Sequence, residues 1–310
     1  MKIAILGASS QIAKDLIISF HEKTDFDCFL FSRNTSKVNA NFNKEHNNIK
    51  YENLLFDSFS TNDKYDLIIN FVSIVNPNFA EMNESVIFEV AEKYDNIALN
   101  YLKEHPQTKY IFLSSGAVYG DSFDKPVDKS TLAKFDINSL KSKDWYSLSK
   151  LYLEAKHRSM QHFSIIDIRV FNYFSSSQNL TENYLIIDIV NSLLNKEVLI
   201  TSSDNIIRDY ITPSDFFNLI QKIITFGQLN VAFDCYTKAP VNKLELLTVL
   251  EREFSLTYNI KDRTGNLDTG KLKLNYFSKN KLAEAIGYFP EYSSIEGVLK
   301  ELNILFASKV

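Results

Sequence analysis

The residues best able to do chemistry are a tyrosine and a lysine four positions apart, Tyr146 and Lys150, in the run WYSLSK at residues 145–150. We expect a helix to begin here, and helical spacing places positions i and i+4 on one face. A nearby ammonium favours the ionised phenol and lowers its pKa. Tyr146 could then donate or accept a proton near neutral pH. Such a pair also arises by chance in many helices, so its interpretation depends on the elements around it.

The chain opens with the elements of a dinucleotide-binding site. An apolar run at residues 2–6 predicts a buried parallel strand, GASSQIA follows at residues 7–13, and helical periodicity comes next. Backbone N–H groups at the start of such a helix can face a pyrophosphate. Gly7 keeps the first glycine of the motif, Ser10 stands at the second, and Ala13 stands at the third, which the motif tolerates. The expected cofactor contacts from this turn are Gly7, Ser9, Ser10, Gln11 and Ile12.

The end of the second predicted strand, at residues 28–31, bears on the choice of cofactor. An acidic residue there would bind the ribose 2′-hydroxyl of NAD, whereas a guanidinium suits a 2′-phosphate. The chain has Ser32 and Arg33, so the sequence favours NADP over NAD. Asp57 follows a third strand at residues 51–56. It is placed to cap a turn or to contact the adenine edge, and the cap is the preferred interpretation.

Two further strands are expected to end at the same edge of the sheet. Ligands bind outside the carboxyl ends of parallel strands, so a strand at residues 66–73 would bring Phe71 and Val72 beside the cofactor. A strand from residue 110 ends in Ser114, Ser115 and Gly116, which places a hydroxyl where Tyr146 could share a substrate oxygen.

The alternation of strands and helices predicts the α/β class: a Rossmann-type doubly wound parallel sheet with a smaller C-terminal α/β substrate lobe. The predicted division is a cofactor domain over residues 1–173 and a lobe over residues 174–310, with some lobe elements returning to the sheet. A long amphipathic helix is expected at about residues 84–104. Phe88 and Leu99 lie off its apolar stripe, which fits either a dimer contact or a wide core face.

Composition narrows the classes of protein. The chain has 310 residues, 45% of them hydrophobic, with a net charge of −4, so no broad basic face for nucleic acid is implied. There is no 18-residue apolar run, hence no expected membrane span. Cys28 and Cys235 are far apart and lack metal-ligand spacing, so we interpret both as buried residues in a reducing compartment. We expect a cytoplasmic protein with no metal site.

The motifs taken together resemble a known family. Besides the turn at residues 7–13, they are SSGAVYG at residues 114–120, YSLSK at 146–150, RVFNY at 169–173, RDYITPSD at 208–215, and GYFP at 287–290 with IEG at 295–297. Their order and spacing resemble the extended short-chain dehydrogenases/reductases, and more specifically the NAD(P)-dependent nucleotide-sugar epimerase/dehydratase/reductase group. The departures are Ser10 for glycine and Pro213 for the usual valine.

The resemblance implies roles for individual residues. Tyr146 would be the general acid/base, Lys150 would bind the nicotinamide ribose, and Ser115 would hydrogen-bond the reacting hydroxyl or carbonyl. Ser115, Gly116, Asn172 and Arg208 would contact a nucleotide-diphospho-sugar substrate. A surface ion pair with Asp209 or Asp215 is the alternative for Arg208. The resemblance also implies a homodimer.

Two neighbours of Ser115 restrict the reaction. Dehydratases of this group carry acidic residues where this chain has Gly116 and Ala117, and the enzymes that make GDP-fucose carry a cysteine at the position of Ala117. Dehydration and the GDP-fucose reaction are therefore not expected, and the remaining reactions are those that only transfer a hydride. Because Arg33 favours NADP, the expected activity is NADPH-dependent reduction of a nucleotide-linked 4-keto(-6-deoxy) sugar, in the biosynthesis of surface-polysaccharide sugars.

Three alternatives stay open. The first is a nucleotide-sugar 4-epimerase that holds NAD(P) tightly, and the second is another carbonyl reductase of the family. The third is of a different class, a non-catalytic NADP-binding sensor or scaffold. The complete set of Ser115, Tyr146 and Lys150 speaks against the third, because a protein that only binds needs no proton donor.

Overall fold

The computed structural model describes residues 1–42, 51–74, 84–261 and 273–308, and the elements named here are those of that part of the chain. The strands are β1 Lys2–Leu6, β2 Asp27–Ser32, β3 Glu52–Leu55, β4 Leu67–Asn70, β5 Lys109–Ser115, β6 Ile165–Val170, β7 Asn172–Tyr173, β8 Leu199–Ser202, β9 Ile207–Arg208, β10 Tyr210–Ile211, β11 Asn230–Asp234, β12 Val241–Asn242, β13 Tyr258–Lys261 and β14 Asn275–Tyr276. The α-helices are α1 Gln11–Lys23, α2 Thr35–Phe42, α3 Val86–Glu104, α4 Ser142–Arg158, α5 Leu185–Asn195, α6 Pro213–Thr225, α7 Lys243–Phe254 and α8 Ser294–Ala307.

A parallel sheet in the order β11-β6-β5-β4-β1-β2-β3 forms the centre of the described structure. The order reverses direction at β1, which pairs in parallel with β2 on one side and β4 on the other. Strands such as β4 are buried along their whole length, as expected when helices cover both faces of a parallel sheet. The predicted doubly wound Rossmann-type fold is confirmed.

Most predicted elements fall within a few residues of their observed bounds. Shifts of three residues occur at β4, which ends at Asn70 rather than at residue 73, and at α4, which starts at Ser142 rather than near Trp145. The Asp144 carboxylate accepts a hydrogen bond of 3.0 Å from the Lys141 amide, and this contact satisfies a free N–H just before the helix. On α3, Leu99 is buried in the core, so its off-stripe position belongs to a wide core face. Phe88 lies against the Trp145 ring, 6.2 Å between centroids.

The C-terminal half of the chain contributes to two cores. Strand β11 joins the main sheet beside β6, and α6 packs against α1. Helices α5, α7 and α8 form a separate apolar cluster with Phe174 and Tyr210. The division at residue 173 stays a prediction. Cys28 and Cys235 are both buried, and among the described residues no helix is long and apolar enough to cross a membrane.

The inner face of α4 carries charge rather than an apolar stripe. His157 is completely buried between two carboxylates, with Nε2 2.8 Å from Asp95 and Nδ1 2.6 Å from Asp167. Burial acts to lower the pKa of His157, but the two carboxylates outweigh it and raise the pKa to about 9. Lys156 and Arg158 complete the cluster by bonding the outer oxygens of Asp95 and Asp167. The buried imidazole is therefore an imidazolium at neutral pH.

This cluster predicts a loss of stability in alkali. A group whose folded pKa lies above its unfolded value of about 6.5 stabilises the fold fully below that pH and loses the effect as pH rises through its folded pKa. We expect the free energy of unfolding of the wild type, relative to His157→Gln, to fall by up to about 3 kcal/mol between pH 6 and pH 10. Urea unfolding across that range measures it. A difference that stays constant with pH would contradict the imidazolium.

Candidate active site

The turn after β1 is held tightly at the edge of the sheet. Gly7 has φ of +79°, and a Cβ there would lie 3.0 Å from the Val72 amide nitrogen, so this position requires glycine. The Gly7 and Ala8 amides both donate to the Phe31 carbonyl, at 2.9 and 3.2 Å. The turn therefore runs across the carboxyl ends of β1, β2 and β4, with Phe71 buried and Val72 half-buried beside it.

The side chains of this turn have structural partners. Ser10 caps α1, because its Oγ accepts from the Ala13 amide at 3.3 Å. Ser9 and Ile12 are half-buried. The Gln11 side chain reaches across to the segment after β7, where its Nε2 donates to Ser177 Oγ at 2.7 Å. The backbone of the turn, with the side chain of Ser9, is thus left to face a pyrophosphate, and the strand–turn–helix pattern predicts this role for the backbone.

The predicted cofactor contacts at the ends of β2 and β3 differ in burial. Ser32 is buried, and its hydroxyl finds no hydrogen-bond partner among the described residues. Arg33 is exposed. Asp57 is exposed in the 3-10 helix Phe56–Ser58, whose N-terminus has no side-chain cap. The capping role preferred for Asp57 is therefore wrong.

Ser115 and Tyr146 meet at the end of β5. The Tyr146 phenol lies close enough to the hydroxyls of Ser115 and Ser73 for both to act on its pKa. Burial raises the pKa of Tyr146, and the two serine hydroxyls, which act to lower it, only partly offset that effect. The direction expected from Lys150 is therefore wrong for this structure: desolvation of the phenolate is the largest effect, and Lys150 is not among the groups that act on the pKa of Tyr146.

Lys150 lies beneath the phenol and points toward the sheet. Its Nζ donates to the Leu113 carbonyl at 2.7 Å and stands 5.9 Å from the centre of the Tyr146 ring and 4.3 Å from that of Phe112. Burial lowers the pKa of Lys150 to about 7, although the carboxylates of Glu154, Asp167 and Asp95 act to raise it. The ammonium is therefore only partly populated at neutral pH.

A second phenol reaches Ser115 from far along the chain. Tyr276 Oη lies 3.4 Å from Ser115 Oγ, and burial raises the pKa of Tyr276 strongly. Sequence reasoning missed this residue. It lies in the two-residue strand β14, 161 residues after Ser115 in the sequence. It belongs to none of the sequence motifs. Pairing of β14 with β9 brings it to the site.

Two of the four predicted substrate contacts, Gly116 and Asn172, are held in place by neighbouring residues. Gly116 packs against Phe171, whose ring would lie 2.3 Å from an added Cβ, so the absence of a side chain is a packing requirement. Asn172 Nδ2 donates to the Asp209 and Tyr276 carbonyls, at 3.4 and 3.3 Å.

Arg208 does not form the ion pair considered as its alternative. Its Nη1 donates to the Ile207 and Lys273 carbonyls at 2.8 and 2.9 Å, while the Asp209 carboxylate is occupied by Thr237 and Ser294. Among the described residues no carboxylate pairs with Arg208. Its guanidinium lies 5.8 Å from the Tyr276 ring, and Lys273 Nζ lies 4.9 Å from the same ring. Two cations thus flank Tyr276.

A parallel Rossmann sheet with a glycine turn after β1 and a Ser–Tyr–Lys set after β5 defines a dinucleotide-dependent oxidoreductase of the extended short-chain type. Residues 3–233 match the model of the NAD dependent epimerase/dehydratase family, and the chain belongs to that family. No curated protein matches the sequence significantly.

Solved structures show the same fold across the whole chain. UDP-glucuronic acid 4-epimerase from Bacillus cereus, in complex with UDP-glucuronic acid and NAD, has a TM-score of 0.76 at 15% identity, covering 99% of this chain and 100% of that one. dTDP-glucose 4,6-dehydratase from Bacillus anthracis with NAD has 0.78 at 13%, covering 100% and 97%. UDP-glucose 4-epimerase from Bifidobacterium longum with NAD⁺ and UDP has 0.76 at 17%, covering 100% and 99%.

These findings correct the predicted cofactor. The matched family is NAD-dependent, and the similar structures hold NAD, so the prediction of NADP from Arg33 is wrong. The structure shows why that residue misled: Arg33 is exposed after β2, and no hydrogen bond or ion pair to the described residues directs it toward the sheet edge. An arginine at this position is a surface side chain as readily as a phosphate ligand.

Proposed function

We propose that the protein transfers hydride between NAD and carbon 4 of a nucleotide-linked sugar, and that it is a nucleotide-sugar 4-epimerase. The observation that carries the proposal is the grouping of Ser115, at the end of β5, with the Tyr146 phenol and with Lys150, whose Nζ lies 5.9 Å from the centre of the Tyr146 ring. A phenol and a hydroxyl that share one position can hold a sugar oxygen between them, as proton transfer at that oxygen requires. The 4-epimerases among the similar structures support the choice of reaction.

Residues on the chain fit the cofactor. The turn at Gly7 leads directly into α1, which begins at Gln11, and the first N–H groups of a helix have no partner within it and can bind a pyrophosphate. Ser32 places an unpartnered hydroxyl at the end of β2, where a ribose is expected, and Lys150 would bind the nicotinamide ribose. NAD, when bound, supplies the acceptor and donor of the hydride.

The chain's own part is proton transfer and orientation. Ser115 holds the 4-oxygen, and Tyr146 takes its proton as the alcohol is oxidised and returns it as the ketone is reduced. Gly116 and Ala117 have no group that could remove or donate a proton at a sugar carbon, so elimination of water is not expected. Arg208 and Lys273, which lie 5.8 and 4.9 Å from the centre of the Tyr276 ring, are suited to the charge of a diphosphate.

A second candidate is a 4-ketoreductase that uses NADH. The observation that favours it is the direction of the Tyr146 pKa, which burial raises. A phenol that stays protonated at neutral pH is prepared to donate to a ketone oxygen rather than to accept from an alcohol. This was also the reaction preferred from the sequence, but the argument from Arg33 no longer supports it.

A product analysis separates the two candidates. We expect purified protein, incubated with UDP-, GDP-, dTDP- and CDP-hexoses, to form the 4-epimer of one of them by NMR without net consumption of added NADH. Loss of absorbance at 340 nm with a nucleotide-linked 4-keto sugar, and no epimer from any hexose, would favour the reductase. The homodimer stays a prediction, which light scattering tests.

A further inference from the structure

A buried polar cluster joins the cofactor turn to the segment that leads into the substrate lobe. The cluster consists of Gln11 and Asp15 on α1, Tyr173 at the end of β7, and Ser175 and Ser177 after it. Asp15 is only 6% exposed, yet among the described residues no cation pairs with its carboxylate. Three neutral donors satisfy it instead: Ser177 Oγ at 2.6 Å, Tyr173 Oη at 2.8 Å and Gln11 Nε2 at 3.2 Å.

Gln11 is the residue of the cluster that links the cofactor turn to the segment after β7. It is the first residue of α1, directly after the capping Ser10, so its backbone belongs to the turn that faces the cofactor. Its side chain donates to Ser177 at 2.7 Å and to Ser175 at 3.3 Å. Any shift of the turn must therefore stretch these bonds or carry the serines with it.

The serines are held from the other side by the last helix. The Ser176 amide donates to Glu301 Oε2 on α8 at 2.8 Å. The segment at residues 175–177 thus lies between a carboxylate of the first helix and one of the last. The segment can move together with α1 or α8, but its hydrogen bonds to both helices limit its independent motion.

The segment then leads into α5. It ends at Tyr184, the residue before α5, and α5 packs in the apolar cluster that also holds Phe174 and Tyr210. The polar cluster therefore connects the cofactor turn to the start of that helix.

We infer that Gln11, Asp15 and Ser177 are positioning residues that transmit occupation of the cofactor turn to the segment at residues 174–184, and so restrain the start of α5. The inference rests on the proposed function only in taking the turn at Gly7 as the binding place of NAD. The cluster acts by bonds that already exist, so binding at the turn reduces the motion of the segment without creating new contacts.

Hydrogen–deuterium exchange with and without saturating NAD tests the inference. We expect NAD to slow amide exchange at residues 174–184 of the wild type several-fold. Gln11→Ala and Ser177→Ala, each at an NAD concentration that calorimetry shows to be saturating, should lose this protection, whereas Ser177→Thr, which keeps the hydroxyl, should retain it. Thr181→Ala is the matched control, since exposed Thr181 bonds, within the described part of the chain, only to nearby Asn179.

The outcomes separate the two claims. If NAD binds the wild type without protecting the segment, or protects Gln11→Ala and Ser177→Ala as fully as the wild type, the coupling is refuted while the proposed function stands. If NAD does not bind the wild type, the proposed function fails, and the coupling fails with it.

Discussion

Replacement of Tyr146 by phenylalanine is expected to reduce turnover by about 10²–10⁴-fold while leaving NAD binding within a few-fold of the wild type. The phenol is the group that meets Ser115, and its hydroxyl alone is removed. The ring keeps its place on α4, so the fold and the cofactor turn should be unaffected. Turnover is measured by the rate of epimer formation, and NAD binding by calorimetry.

A second tyrosine on the same helix provides the control. Tyr152 is exposed, and its hydroxyl donates to Glu92, so Tyr152→Phe should leave both the rate and the binding of NAD near wild type. A Tyr146→Phe enzyme with wild-type turnover would show that the proton is carried by another group. Tyr276, which also reaches Ser115, would then be the first residue to replace.

Replacement of Lys150 by methionine is expected to lower turnover at least about 100-fold and yet to stabilise the fold. Lys150 is 3% exposed, and burial lowers its pKa to about 7, which means that the folded state disfavours its charge. Methionine fills a similar volume without a charge to desolvate. Allowing for the lost bond to the Leu113 carbonyl, we expect a gain on the order of 2–4 kcal/mol at pH 6.

The pH dependence of this gain has a fixed sign. The folded pKa of about 7 lies below the unfolded value of about 10.4, so the cost of the charge is complete below pH 7 and disappears as pH rises toward 10. The advantage of Lys150→Met over the wild type should shrink over that interval in urea unfolding. Lys156→Met, which removes the partly exposed partner of Asp95, should destabilise instead. A Lys150→Met protein less stable than wild type at pH 6 would contradict the account.

The fold could be predicted from the sequence because its signals are local. Buried parallel strands are short apolar runs, as at residues 2–6 and 67–70, and a glycine followed by helical periodicity marks the first turn. These patterns are set by residues close in sequence and do not depend on contacts with distant parts of the chain. The start of α4 was displaced because Asp144, rather than the first large apolar residue, sets the helix end.

The site was predicted less completely, for reasons that are also physical. The meeting of Ser115 and Tyr146 follows from motif order, but Tyr276 arrives through the pairing of β14 with β9, which no local pattern encodes. The pKa of Tyr146 was expected to fall from helical spacing alone, whereas the burial that raises it depends on every element packed around the phenol. The cofactor prediction from Arg33 was wrong because an arginine can be either a solvent-exposed residue or a phosphate ligand. Residue spacing does not distinguish these two roles.

The most direct test of the central claim is the fate of hydrogen at carbon 4. A nucleotide hexose that the protein epimerises is prepared with deuterium at that carbon, and the product is examined by NMR and mass spectrometry. If hydride moves to NAD and back within one site, the 4-epimer should retain the deuterium in full. Loss of the deuterium to solvent, or the absence of an epimer from every nucleotide hexose, would contradict hydride transfer between NAD and carbon 4.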